Sequence, residues 1–166
     1  MINAGAPRSR RPRMVLALAV AGCVILGGLS GLLSGSGTSS WYDSLETSSL
    51  TPAPWVFGVI WPVLYALMGL SAWIIWRLPD DPARTHGLAL FVVQFVVNLA
   101  WSPVFFGAQL VGLALMLAGL LFVLVALTIW RFYGLSRFAA VLLLPYLIWS
   151  GFAFYLTFFI WMNNPS

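Results

Sequence analysis

Charge is the scarcest commodity in this 166-residue sequence: Asp, Glu, Lys and Arg together make up 7% of it. There is no lysine, and the acids number four: Asp43, Glu46, Asp80 and Asp81. A soluble domain carries about 25% charged residues to cover its surface, so a water-facing globule is excluded. A single cysteine, Cys23, excludes an intrachain disulfide. With one histidine, His86, it offers no metal site at any familiar spacing. The basic residues sit in short clusters at the ends of apolar runs, which argues against a nucleic-acid surface. The acids fall in loops and the histidine at a span end, so no general acid–base or nucleophile constellation is present.

What fills the chain instead is apolar. It is 61% hydrophobic with a mean hydropathy of +0.97, and runs of about 18 or more apolar residues mark membrane spans. The pattern predicts an all-α membrane protein, a bundle of five transmembrane helices over about 14–34, 54–77, 86–106, 109–130 and 138–161. A basic tail (1–13) precedes the 14–161 membrane domain, and a short tail (162–166) follows it. The stretch from Leu88 to Trp130 is nearly uncharged. As one helix it would run about 65 Å, twice the hydrocarbon thickness. It has to turn back, and "FFGAQ" (Phe105–Gln109), a glycine followed by a polar side chain, is the place.

All eight basic residues are arginine. With five spans they share one side: Arg8, Arg10, Arg11 and Arg13, then Arg77 and Arg84, then Arg131 and Arg137. The positive-inside rule puts that side, and the N-terminus, in the cytoplasm, and the C-terminus outside; the membrane expected is the cell (inner) membrane. Asp43 and Glu46 then lie in an outer loop. "VAGC", ending at Cys23, resembles a lipoprotein signal, but the apolar run continues unbroken through "VILGGLSGLL". The segment is read as a span, and Cys23 as a small buried hydrophobe.

Polar side chains at membrane depth usually face the bundle interior. Gln94, Asn98 and Ser102 recur every four residues in span three, flanked by Trp101 and Phe105. Phe57, Trp61 and Tyr65 form a second stripe in span two, with Met68 one turn on. In span five Tyr146 and Ser150 align beside Trp149, with Ala153 a turn below. Each residue alone is accounted for by helix packing. Three helices offering flat rings plus a few polar groups fit a pocket for a large, flat, mostly apolar ligand. Trp73, Trp76, Trp130 and Trp161 read as interfacial anchors; Trp41 and Trp55, which bracket the first loop, stand apart from them. Pro62, Pro103 and Pro145 are candidate bends. Gly27, Gly31 and Gly35 form a double GxxxG, which permits close contact within the bundle or between subunits. His86 reads as an interfacial residue rather than an axial haem ligand.

Three segments carry a resemblance: "WYDSLETSSLTPAPWVFGVIWPVLYALMGLSAW" (41–73), "VNLAWSPVFF" (97–106) and "LLPYLIWSGFAFYL" (143–156). They resemble the tryptophan-rich sensory protein/translocator protein family (TspO/MBR, or peripheral-type benzodiazepine receptor). The resemblance implies a five-helix bundle, often a homodimer. It implies binding of protoporphyrin IX, haem and related tetrapyrroles as ligands rather than required cofactors, and in some members of cholesterol and synthetic isoquinoline carboxamides. It implies a pocket under the loop joining the first two spans, with Trp41, Tyr42, Trp61, Tyr65, Asn98, Trp101, Trp149 and Ala153 at its positions. Phe57 and Gln94 join them from the stripes. The roles implied are porphyrin transport or stress-linked sensing. One alternative is light-dependent porphyrin breakdown with Trp61 and Trp149 as the catalytic pair; another is a structural partner that modulates a membrane complex. The sequence departs from the family pattern twice. "KPSWTPP" before span two is here "SSLTPAP", with Ser48 for Pro and Leu50 for Trp, which implies a looser lid with one ring fewer. No basic residue follows Tyr155 within reach, so the C-terminal sterol pattern is broken, and the formal match Leu127…Tyr133…Arg137 is a weak one.

Overall fold

The computed structural model describes residues 12–36 and 40–164. Most of the basic tail lies outside the described residues, as do the last two residues. Among the described residues five helical segments are long and apolar enough to cross a membrane: Arg13–Leu33, Pro54–Trp76, Pro82–Gly107, Val111–Leu135 and Arg137–Asn163. The chain is therefore an all-α, multi-pass integral membrane protein. Its helices are α1 (Pro12–Leu33), a one-turn α2 (Ser40–Asp43), α3 (Pro54–Trp76), α4 (Pro82–Ser102), α5 (Val111–Leu135), α6 (Arg137–Leu142) and α7 (Leu144–Asn163).

The boundaries differ from the expected ones where polar residues belong to helices. α4 begins at Pro82 rather than near His86, because the Asp81 side chain accepts from the Ala83 N–H at 2.6 Å and Pro82 occupies the first turn. Arg84, expected in a loop, is buried on that first turn; it donates to the Leu78 carbonyl at 2.9 Å and pairs with Asp80 at 2.9 Å. α5 runs on to Leu135 because Ser136, not Arg131, ends it and caps α6. The fifth span is two helices, with a break at Leu143 just before Pro145, whose ring leaves no N–H to continue the ladder.

The reversal after α4 starts at Pro103. A π-helical turn, Pro103–Gly107, follows, and the Ala108 N–H reaches back five residues to the Pro103 carbonyl at 2.8 Å. The expected turn is there, but Gln109 rather than Gly107 takes the left-handed backbone conformation, with φ 58°.

Glycine sets how closely α1 and α3 meet. A Cβ on Gly69 would lie 2.6 Å from the Val20 Cα, so the two backbones touch there. A Cβ on Gly27 would fall 2.1 Å from the Tyr65 ring. The expected GxxxG contact is thus made within the bundle at Gly27, while Gly35 is spent on the turn after α1, with φ 71°. Hydroxyls tie other helices together: Ser30 donates to the Leu99 carbonyl and Ser71 to the Ala139 carbonyl, each at 2.7 Å. Phe95, Phe91 and Phe132 stack in sequence through the middle of the core.

Candidate functional site

The three polar–aromatic stripes face one another. Tyr65 on α3 donates to Asn98 Oδ1 on α4 at 2.9 Å. Tyr146 on α7 donates to Gln94 Oε1 on α4 at 3.1 Å. Phe57 on α3 meets Trp149 on α7 edge to face, with ring centroids 5.6 Å apart. Trp61 stacks on Tyr65 at 5.5 Å. The helical repeat that aligned these residues in sequence also turns them to a common interior. Ala153, a turn below Trp149, is half-buried and offers its carbonyl only to Thr157 of its own helix.

A second cluster lies towards the α2 end. Phe105, in the π turn, is buried and stacks on Trp101 at 4.9 Å with the rings 9° from parallel. Trp41 and Tyr42 on α2 both set their rings edge-on to Phe105, at 5.6 and 6.1 Å. The loop joining the first two spans runs over 41–54. Its first turn is helical, and the prolines begin only at Pro52. Burial, and then the Asp43 carboxylate, raises the Tyr42 phenol above its ordinary value, so it stays a neutral hydrogen-bonding group at physiological pH. Trp55 is 70% exposed and sits with the interfacial tryptophans, so of the two that bracket the loop only Trp41 packs inward.

The rest of the loop is fastened to α7. The Ser48 hydroxyl lies 3.1 Å from the Tyr155 hydroxyl. Asn164 accepts from the Glu46 N–H at 2.8 Å and donates to the Glu46 carbonyl at 3.0 Å. Ser48, the residue that departs from the expected proline, is therefore a buried anchor rather than a loosening, whereas Leu50 is 61% exposed. Tyr155 and Asn164 were not read from the sequence as part of the site, and Phe105 was named only as a flank of the span-three stripe. Phe105 had a legible signal, four residues after Trp101; the other two meet the loop across more than a hundred residues of chain.

Among the described residues no charged side chain enters the interior layer, since their arginines and acids stand at the helix ends and loops. What it does hold is an imbalance. The acceptors of Asn98 and Gln94 are taken up by tyrosine hydroxyls. Among the described residues the buried donors Gln94 Nε2 and Trp149 Nε1, and Trp101 Nε1 in the cluster towards α2, have no partner. A buried donor left unmade costs about 1–3 kcal/mol, so three of them among aromatic rings suit a ligand that brings acceptors on a flat apolar body. Among the described residues no group of His, Cys, Asp and Glu could hold a metal ion, and His86 is exposed.

Comparison with known proteins agrees with this architecture. Residues 19–162 match the TspO/MBR family. The chain is 38% identical over 118 residues to the tryptophan-rich sensory protein of Cereibacter sphaeroides, covering 71% of this chain and 73% of that one. It is 33% identical over 153 residues to the tryptophan-rich protein TspO of Chlorobaculum tepidum, covering 92% and 97%. To the human translocator protein it is 36% identical over 126 residues, covering 75% of each chain. The chain belongs to the TspO/MBR family, whose named members include sensory and translocator proteins.

Proposed function

We propose that this protein binds a tetrapyrrole of the protoporphyrin IX or haem type between α3, α4 and α7, and acts in porphyrin transport or stress-linked sensing. The observation that carries the proposal is the set of unpartnered buried donors on Gln94, Trp101 and Trp149 within a ring-lined layer. A porphyrin's propionates supply the missing acceptors, and its macrocycle supplies a face for Trp61 and Trp149. The α2 turn and the loop fastened to α7 form the cover over that layer. The names of two relatives, one sensory and one a translocator, fit the same role.

The cover is assigned to the outer side of a cell membrane. Arg13, Arg77, Arg84, Arg131 and Arg137 all fall at the opposite end of the bundle, which the positive-inside rule makes cytoplasmic. Pure protein titrated with protoporphyrin IX should show saturable quenching of tryptophan fluorescence. Trp73→Phe, with its ring under the Arg77 guanidinium at 4.6 Å, should leave the quenching unchanged. Absence of saturable quenching in the parent chain rejects the proposal. The breakdown reading is separated by illumination. Any catalysis here would rest on indole oxidation at Trp61 and Trp149, so loss of porphyrin absorbance that stops in Trp61→Phe and Trp149→Phe would replace binding with enzymology.

A further inference from the structure

Outside the proposed ligand layer, α1 and α3 leave a shallow, largely open groove on their outer face with a volume of about 480 Å³. Leu16, Ala17 and Val20 form one wall and Ala66, Leu67 and Leu70 the other, with Arg13 at one end. The groove follows from the Gly69 contact. The backbones touch at Ala19 and Val20; beside that line the small side chains of Ala17 and Ala66 leave the space between the leucines unfilled.

Arg13 differs from the other arginines at its end of the bundle. Arg77 lies over the Trp73 ring, Arg131 over Trp130 and Arg137 over Tyr133, at 4.6, 5.7 and 5.4 Å. Arg84 is paired with Asp80. Arg13 is exposed and has no carboxylate or ring partner among the described residues. From Arg13 to Val20 the α1 wall rises about 10 Å at 1.5 Å per residue, against a leaflet about 15 Å deep. The groove thus starts at headgroup depth and stays within one leaflet.

We propose that this groove seats an acyl chain of an anionic phospholipid whose phosphate is held by Arg13. The walls are apolar throughout, which suits an alkyl chain, and the one polar group is a cation at headgroup depth, which requires an anion. The carboxylates a second copy of this chain carries at that end already have partners: Asp80 pairs with Arg84, and Asp81 caps α4. A zwitterionic lipid offers the phosphate as well, but with its charge offset by the headgroup cation. The cytoplasmic leaflet is the anionic one, and a basic residue near its surface contributes about a fivefold gain in affinity.

The test uses the full chain in phosphatidylcholine nanodiscs titrated with phosphatidylglycerol, with retained lipid counted by native mass spectrometry. The parent should hold one phosphatidylglycerol more tightly than the rest. Arg13→Gln should weaken it about fivefold. Ala66→Phe and Ala17→Phe, which fill the groove from either wall, should weaken it at least as much; Ala17 is exposed, so its replacement leaves the helix contacts intact. Arg131→Gln should change nothing. Equal losses in Arg131→Gln and Arg13→Gln would mean diffuse attraction at the bundle end and overturn the proposal. Undiminished binding in Ala17→Phe would overturn it too, as would a dimer that dissociates in Ala66→Phe while phosphatidylglycerol retention is unchanged; that last result would give the groove to a second copy.

Discussion

Tyr65 and Asn98 join α3 to α4 through one hydrogen bond of 2.9 Å, and the same tyrosine carries Trp61 on its ring and Gly27 of α1 against its edge. Three helices therefore depend on one phenol. Tyr65→Phe keeps the ring packing but leaves the Asn98 oxygen buried without a donor. Interhelical hydrogen bonds within a membrane average about 0.6 kcal/mol, and an orphaned acceptor adds to that. The variant should lose about 1–2 kcal/mol, read as a lower thermal midpoint in detergent. A midpoint equal to the parent's would remove the bond from the account of stability.

Gly69 gives a sharper test of the α1–α3 contact. Gly69→Ala puts a methyl group 2.6 Å from backbone, which no side-chain rotation relieves. It should cost about 1–3 kcal/mol, as overpacking does. Gly22, around which a Cβ would meet nothing within 4 Å, is the control, and Gly22→Ala should stay within about 0.5 kcal/mol of the parent. Equal midpoints for the two variants would contradict the close approach.

The loop fastening makes a kinetic prediction. Ser48→Ala and Asn164→Ala remove the contacts to Tyr155 and Glu46. Local opening of 44–50 should then become easier by about 1 kcal/mol, giving roughly fivefold faster amide hydrogen exchange there and unchanged exchange in α5. Uniformly faster exchange would mean that the contacts support the whole fold rather than the loop. Porphyrin should also enter and leave faster in these variants, with a smaller change in affinity.

Orientation is testable by reporter fusions. A phosphatase fused at the C-terminus should be active, and one inserted between Arg77 and Arg84 inactive. The reverse pattern would invert the placement of the loop and of the lipid groove.

How much of this was legible in the sequence depends on how local the cause is. The spans follow from apolar runs, and the facing stripes from a four-residue repeat that one helix enforces by itself. The start of α4 was missed because Arg84 looks like a loop residue until its side chain is seen folded back on Leu78 and Asp80. The end of α5 was missed because arginine at a membrane boundary reads as a stop, whereas the helix continues past it to Ser136. Gly69 gave no signal, since a lone glycine in an apolar run does not say which backbone approaches it. Nor did Ser48 and Asn164, whose partners lie 107 and 118 residues away.

The most direct measurement pairs a change in the protein with a change in the ligand. Protoporphyrin IX and etioporphyrin, which lacks the carboxylates, are titrated into the parent chain and into Trp149→Phe and Trp101→Phe. If the buried indole N–H groups meet ligand acceptors, each variant should bind protoporphyrin IX about three- to tenfold more weakly, the worth of one hydrogen bond, while etioporphyrin binds parent and variants alike. Equal losses for both porphyrins, or no loss for either, would contradict the claim that the unpartnered donors of the α3–α4–α7 layer select the ligand.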